Sequence, residues 1–445
     1  MKKIKLYLCL LFLTLVTGVK AQSSGVKNAA KSVFTLTTFS KDGSIKASCC
    51  GVFIDDKGTA IAPFSPFVGA DSATVVDTNG QAMPVDYIMG ADENYDVTKF
   101  KVSHTTKGVE LSSQSIPAEA SIWIVAYSNQ KPNIKNTKIS RVEKFNTTYN
   151  YYVTGFSAPD TDYGCPAVDG SGKVIGIVKS LDADHTSIID AQYINSLKVN
   201  ALSSQTMTQT GIRIGLPDTE KDAITALFLA RSQRSKRDNY KYAHEFIEKF
   251  PDSPQGYQAL AELYVADSLF NEADKEMQKG IDKSSKKDEA HSNYASLIFN
   301  QSVYHPNQHK EWTLNKALEE TEKAYQIKAD PAYTHQKAQI IYAQGDYQKA
   351  YDIFKKLTQT TLNNGELWFE CAQCKTQLKA PYQEVKVLLD SAVNVSSKTG
   401  MAAPYYLARG HFFDTNKQYR AAIKDYYAYD SLSHTLDPSF FFMRY

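Results

Sequence analysis

Beyond its first twenty residues the chain contains no apolar run approaching the ~20 residues a membrane helix needs, which leaves no helical span in the body of the sequence. Cysteine is scarce, with six in 445 residues, and none lies just behind the N-terminal apolar segment where a lipid anchor would need it. Histidine is scarcer where it would matter most: of nine, only His104 and His185 lie in the first 200 residues. A surplus of either charge is missing as well. Fifty Lys and Arg face 48 Asp and Glu, a balance that gives no reason to expect nucleic-acid or anionic-membrane binding. What remains is 42% hydrophobic and 12% aromatic, enough to fill real cores, in a length that suggests two or three domains of ~150 residues.

The N-terminus reads as an export signal. Lys2, Lys3 and Lys5 form a basic start, Leu6 to Val16 an apolar stretch, and Val19-Lys20-Ala21 a cleavage site before Gln22. Residues 1–21 are therefore expected to be removed and the product to be periplasmic or extracellular and soluble. Their loss takes away four lysines and no acids, moving the formal charge from +2 to −2. It leaves Cys49, Cys50, Cys165, Cys371 and Cys374, an odd number in a compartment that permits disulfides.

The body divides near residue 200. Over 22–200, short β-branched and aromatic runs (Ser32 to Thr38, Ser72 to Val76, Ser121 to Tyr127, Tyr151 to Phe156, Thr186 to Asp190) alternate with Gly, Asn and Asp turns, which predicts an all-β barrel or sandwich. Residues 201–217 are polar and unpatterned and read as a linker. From 218 to 445 the pattern is helical.

Three segments of the β half carry chemistry. Asp162-Tyr163-Gly164-Cys165-Pro166-Ala167-Val168 followed by Gly172-Lys173-Val174-Ile175-Gly176-Ile177-Val178 resembles the nucleophile loop and next strand of trypsin-like, bacterial-type serine peptidases. Gly51-Val52-Phe53-Ile54, with Ala60-Ile61-Ala62-Pro63-Phe64-Ser65, resembles the strands leading to that family's histidine. Asn94-Tyr95-Asp96-Val97-Thr98-Lys99-Phe100 resembles its aspartate segment. The resemblance implies a double β-barrel over 22–200 and places the histidine position on Ser65, the aspartate on Asp96 and the serine on Tyr163. Only the orienting acid keeps its identity. Ser65 cannot accept and return a proton near neutral pH as imidazole can. Tyr163 offers a phenol of pKa near ~10, on a ring expected to be too large for the niche at such an elbow. Thr161 in place of a glycine puts the backbone oxyanion donors in question.

Substitutes are few. His104 and His185 stand off the base position and read as surface or loop residues. Cys165 lies two places past the nucleophile position. Because the family's fold runs the Cys49-Cys50 strand beside the nucleophile loop, the resemblance implies a bridge from Cys49 or Cys50 to Cys165, sealing the site.

The helical half repeats itself. Gly345-Asp346-Tyr347-Gln348-Lys349-Ala350-Tyr351 has parallels at Tyr240 to Phe246, at Phe270 to Ala273 with Met277 and Gly280, at Lys316-Ala317 with Ala324, and at Gln418 to Ala422 with Tyr426. These runs resemble tetratricopeptide repeats, with spacings about their ~34-residue period. The resemblance implies about six helical pairs over 218–435 forming an all-α solenoid with a groove for peptides or proteins. Cys371-Ala372-Gln373-Cys374 has redox or metal spacing, but no strand precedes it and no second ligand pair accompanies it, so the two cysteines read as small core residues or an incidental bridge. No metal and no cofactor is expected.

The Lys-, Asn- and Tyr-rich body and its signal resemble exported Bacteroidota proteins. The Asp-Ser-Ala and Asp-Ser-Leu triplets at Asp71, Asp267, Asp390 and Asp430 resemble O-glycosylation acceptors of that group. The functional expectation is an exported, non-catalytic scaffold that binds proteins or peptides and has no nucleic-acid partner. The alternative is an active trypsin-like endopeptidase, or a cysteine-dependent hydrolase with a non-standard site.

Overall fold

The computed structural model describes residues 23–128, 131–180, 185–233, 235–305 and 309–433, and the expected export signal lies outside them. A short helix, α1 (Ser24–Ala29), precedes twelve strands: β1 (Val33–Phe39), β2 (Ile45–Phe53), β3 (Thr59–Ala62), β4 (Ser72–Asp77), β5 (Ala82–Asp92), β6 (Val97–Val102), β7 (Ser121–Ser128), β8 (Lys131–Phe145), β9 (Tyr149–Thr154), β10 (Pro166–Val168), β11 (Val174–Ser180) and β12 (Thr186–Asp190). They close into two barrels, in the orders β1-β2-β3-β6-β5-β4 and β10-β11-β12-β9-β8-β7. The double barrel expected from the motif register is the fold observed.

Strand β6 shows why these residues make a barrel wall. Thr98, Phe100 and Val102 are fully buried and alternate with half-exposed Lys99 and Lys101, so one face fills the interior and the other carries charge. The first barrel's core is aromatic: Phe34 and Phe53 meet at 4.6 Å between ring centroids, and Phe67 and Phe100 at 5.4 Å. Phe64 and Phe67 bracket Ser65 and are 1% and 0% exposed. Each such ring contributes ~1.5–3 kcal/mol relative to leaving it in water, which pins the short 3-10 turn at Ser65–Phe67 to the barrel.

Two further helices follow the strands, α2 (Ala191–Ser196) and α3 (Ala201–Met207). The stretch 201–217, expected to be a linker, is folded against the first barrel. Met207 and Ile212 sit in that barrel's core, Gly69 and Gly211 exchange backbone bonds with Gln209 and Ala70 at 2.7 Å, and Ile88 bonds both Arg213 (2.8 Å) and Gly215 (2.9 Å). Arg213 also lies 3.5 Å from Asp86 and over the ring of Tyr87. The attachment runs mainly through backbone groups and a few isolated apolar residues, so it leaves no periodic signature. The division between compact units falls later, at Asp238/Asn239.

Helix α4 (Glu220–Gln233) ends the first unit, and α5 (Lys236–Lys249) crosses the division. The second unit continues through α6 (Pro254–Ala266), α7 (Phe270–Lys283), α8 (Lys287–Tyr304), α9 (Leu314–Ile327), α10 (Pro331–Ala343), α11 (Tyr347–Leu357), α12 (Gly365–Gln377), α13 (Tyr382–Ser397), α14 (Ala403–Thr415) and α15 (Tyr419–Ser433). Each packs chiefly on its sequence neighbours, as in an α-repeat solenoid. Side-chain caps fix several starts: Thr313, Asp330, Asp346 and Asn364 accept from backbone amides of α9, α10, α11 and α12. Ala261, Ala273, Ala317, Ala338 and Ala350, all 0% exposed, let the helices approach closely. At Gly280 even a methyl group would meet the Cβ of Tyr257 at 2.8 Å.

Candidate functional site

Asp96 occupies the tight turn between β5 and β6 with φ of 55°, a left-handed conformation that Asp tolerates better than most residues. The turn aims its carboxylate at the start of the Ser65 turn. Oδ1 accepts from the amides of Phe64 (3.0 Å) and Ser65 (2.7 Å), and Oδ2 accepts from the hydroxyls of Ser65 (3.4 Å) and Tyr163. The Ser65 and Tyr163 hydroxyls are themselves 2.7 Å apart. Ser65, Asp96 and Tyr163, far apart in sequence, thus form one hydrogen-bonded cluster.

The Tyr163 ring lies half-buried beside Ser65, whose short side chain leaves the phenol room to reach Asp96 directly. Burial first, and then the hydrogen bond to Asp96, hold this phenol well above its ordinary pKa. It is therefore a neutral donor at every physiological pH. Among the described residues the donors to Asp96 come from Phe64, Ser65 and Tyr163, and none is histidine. His104 is exposed just past β6, and His185 is half-exposed just before β12.

The loop around Tyr163 is built as a turn. A 3-10 turn spans Asp160–Asp162, and the Tyr163 amide donates to the Asp160 carbonyl at 3.1 Å, which commits a backbone donor that an oxyanion would need. Gly164 follows at φ 81°. A Cβ there would lie 2.2 Å from the Cys50 carbonyl, so only glycine lets the loop lie this close to β2. The Cys50 amide returns a bond to the Tyr163 carbonyl at 3.1 Å. Asp162, 0% exposed, is held by Lys135 at 2.6 Å.

All five described cysteines are free thiols, so the bridge expected from Cys49 or Cys50 to Cys165 is not formed in this structure. The Cys50 and Cys165 thiols donate instead to the backbone carbonyls of Gly51 (4.0 Å) and Thr161 (3.9 Å). Burial pushes Cys50 well above the ordinary thiol range, and its contact with Cys165 adds to the shift; burial does the same to Cys49. Thiols so far from ionisation are poor nucleophiles. Together with Asp162 and Tyr163 they line a small cavity of about 210 Å³. Cys371 and Cys374 are buried in the helical unit's core, and burial raises each to about 12.

In the second unit two cavities of about 510 and 560 Å³ share Tyr342 and Gln373 in their linings. Their walls come mainly from α8, α10, α12 and α14, with Leu314 of α9, Phe354 of α11 and Tyr382, Val385 and Leu389 of α13, and carry Phe299, Tyr304, Phe369 and Phe412 beside amide and hydroxyl side chains.

No family model matches the chain, and no curated protein does. Solved structures are similar over part of it. The serine endoprotease from Yersinia pestis is 19% identical over 38% of this chain and 62% of its own length, with a TM-score of 0.34. The Rv3671c protease from M. tuberculosis in its active form is 14% identical over 44% of this chain and 86% of its own, again at 0.34. The HtrA-type protease AlgW with decapeptide is 16% identical over 39% and 65%, also at 0.34.

Proposed function

We propose that this chain is an exported, non-catalytic binding protein: a trypsin-like double barrel without peptidase chemistry, carrying a tetratricopeptide-type helical array that receives a protein or peptide partner. The observation that carries the first half is the Tyr163 hydroxyl seated between Ser65 and Asp96. A working triad needs a base that takes the nucleophile's proton and an acid that orients the base. Here the acid's free oxygen is taken up by a neutral phenol, and the neighbouring group is an alcohol of no useful basicity. The Tyr163 amide, turned into its own loop, offers nothing to a developing oxyanion. The cysteine-dependent alternative is disfavoured by the depth of Cys165, which is 1% exposed, and by the suppressed ionisation of Cys49 and Cys50.

The second half is supported by the linked cavities over α8, α10, α12 and α14, whose aromatic and amide lining suits an extended peptide. Export rests on the N-terminal signal. The experiment pairs two readouts on the processed chain: digestion of casein with fluorophosphonate labelling, and capture of partners from periplasmic extract by wild type and by Gln373→Arg, which puts a charge into the shared cavity wall. The expected result is no cleavage, no label, and a captured protein lost in the variant. Cleavage abolished by Asp96→Ala overturns the non-catalytic reading, and capture unaffected by Gln373→Arg overturns the assigned partner surface.

A further inference from the structure

We infer that His335, Glu366 and Glu370 form a binding site for a divalent first-row transition ion, with Zn²⁺ the best fit. One ligand atom from each of the three residues lies within 4.8 Å of the others. Two helices supply them: His335 from α10, and Glu366 with Glu370 one turn apart on α12. No cofactor or metal was expected from the sequence, because the histidine stands one helical pair away from the acids and no short motif joins them.

The donor set is mixed, and that decides the ion. One imidazole nitrogen and two carboxylates suit Zn²⁺ and its first-row neighbours, whereas Ca²⁺ and Mg²⁺ favour all-oxygen sets. The metal-free arrangement is what such a site shows when a proton stands in for the metal. His335 Nε2 and Glu370 Oε2 are 2.6 Å apart, sharing a hydrogen that an ion would replace. Glu370's other oxygen accepts from Gln339 Nε2 at 2.8 Å, which fixes the carboxylate from behind as supporting residues do in metal centres. The His335 ring is held against Phe354, centroids 5.7 Å apart.

Two further features point to a ligand. Glu366 is exposed and makes no hydrogen bond or ion pair among the described residues, although its carboxylate is turned toward His335. Glu370 and Gln339 also line the 560 Å³ cavity, so the site opens on one side into a space that admits water or a donor from a bound partner. Three protein ligands and one open position is the arrangement of an accessible zinc site.

The test is a Zn²⁺ titration of the reduced, processed chain by competition with a chromogenic chelator, comparing wild type with Glu366→Gln, His335→Asn and Cys50→Ser. Glu366→Gln alters an exposed side chain and should leave the metal-free melting temperature unchanged. The expected result is one saturable Zn²⁺ per chain that raises the melting temperature, is weakened at least ~10-fold by Glu366→Gln and by His335→Asn, and is unaffected by Cys50→Ser. Binding that survives both ligand variants, binding lost with Cys50→Ser, or no saturable binding below ~0.1 mM overturns the assignment.

Discussion

The hydroxyl of Tyr163 donates to the carboxylate of Asp96, two residues 67 positions apart that a peptidase of this design would join only through a histidine. On the proposed non-catalytic reading, that bond makes the cluster a structural one.

If the cluster is structural, its loss should be read in stability and not in turnover. Tyr163→Phe removes a hydroxyl from a charged acceptor and should lower unfolding free energy by ~1.5–3 kcal/mol in urea titrations. Asp96→Ala, which strips the acceptor from the amides of Phe64 and Ser65, should cost at least as much, while casein digestion stays at background in both. Loss of a measurable cleavage rate in Asp96→Ala would show that the acid still serves chemistry.

Oxidation should join Cys50 to Cys165, whose closeness already adds to the upward shift of the Cys50 thiol and which lines the same small cavity. Non-reducing peptide mapping after mild oxidation is expected to find that bridge, with Cys49, Cys371 and Cys374 left as thiols. Closing a loop of that length should raise stability by ~5 kcal/mol in the chain-entropy model, less any strain. Rapid alkylation of Cys165 in the native, reduced protein would contradict its burial.

Limited trypsin digestion should spare residues 207–216, which are tied to the first barrel, and cut instead at the junction of α4 and α5 near Arg237. Mass spectrometry should recover a β-rich fragment ending beyond residue 217. A first cut within 207–216 would mean that the strap over Ile88 is weaker than its backbone bonds suggest.

Acid should weaken the helical unit through Glu320. Burial alone would raise this carboxyl, but hydrogen bonds from His291, Lys323 and Lys316 outweigh it and hold the value at about 2. A group depressed on folding stabilises above its unfolded pKa of ~4.3 and loses that contribution as pH falls toward the folded value. On the order of 3 kcal/mol should therefore disappear between pH ~4.5 and ~2. Glu320→Gln should flatten that part of the profile, measured by the helical signal in circular dichroism against pH.

The two barrels and the helical half were legible because each rests on a repeated pattern: alternation in strands such as β6, and alanine and aromatic spacing in α7 and α11. Chain order and local motif were enough to align Ser65, Asp96 and Tyr163. The reach of the phenol was not legible, since it depends on the space left where an imidazole is missing. The packing of 201–217 escaped notice because its anchors, Met207, Ile212 and the backbone groups about Ile88, have no period. His335 with Glu366 and Glu370 was hidden for a similar reason: helix i,i+4 spacing marks the two acids, but only the stacking of one helical pair on the next supplies the nitrogen.

Asp96 caps the amides of Phe64 and Ser65 from a left-handed turn, and that duty exists whether or not any reaction follows. A short side chain with an acceptor oxygen at this position is thus called for by the backbone alone. In a chain of this fold, finding the aspartate is weak grounds for inferring an enzyme; the informative question is which group occupies its outer oxygen. On the proposed reading a proton carrier there would make a machine, whereas the phenol makes a fastener.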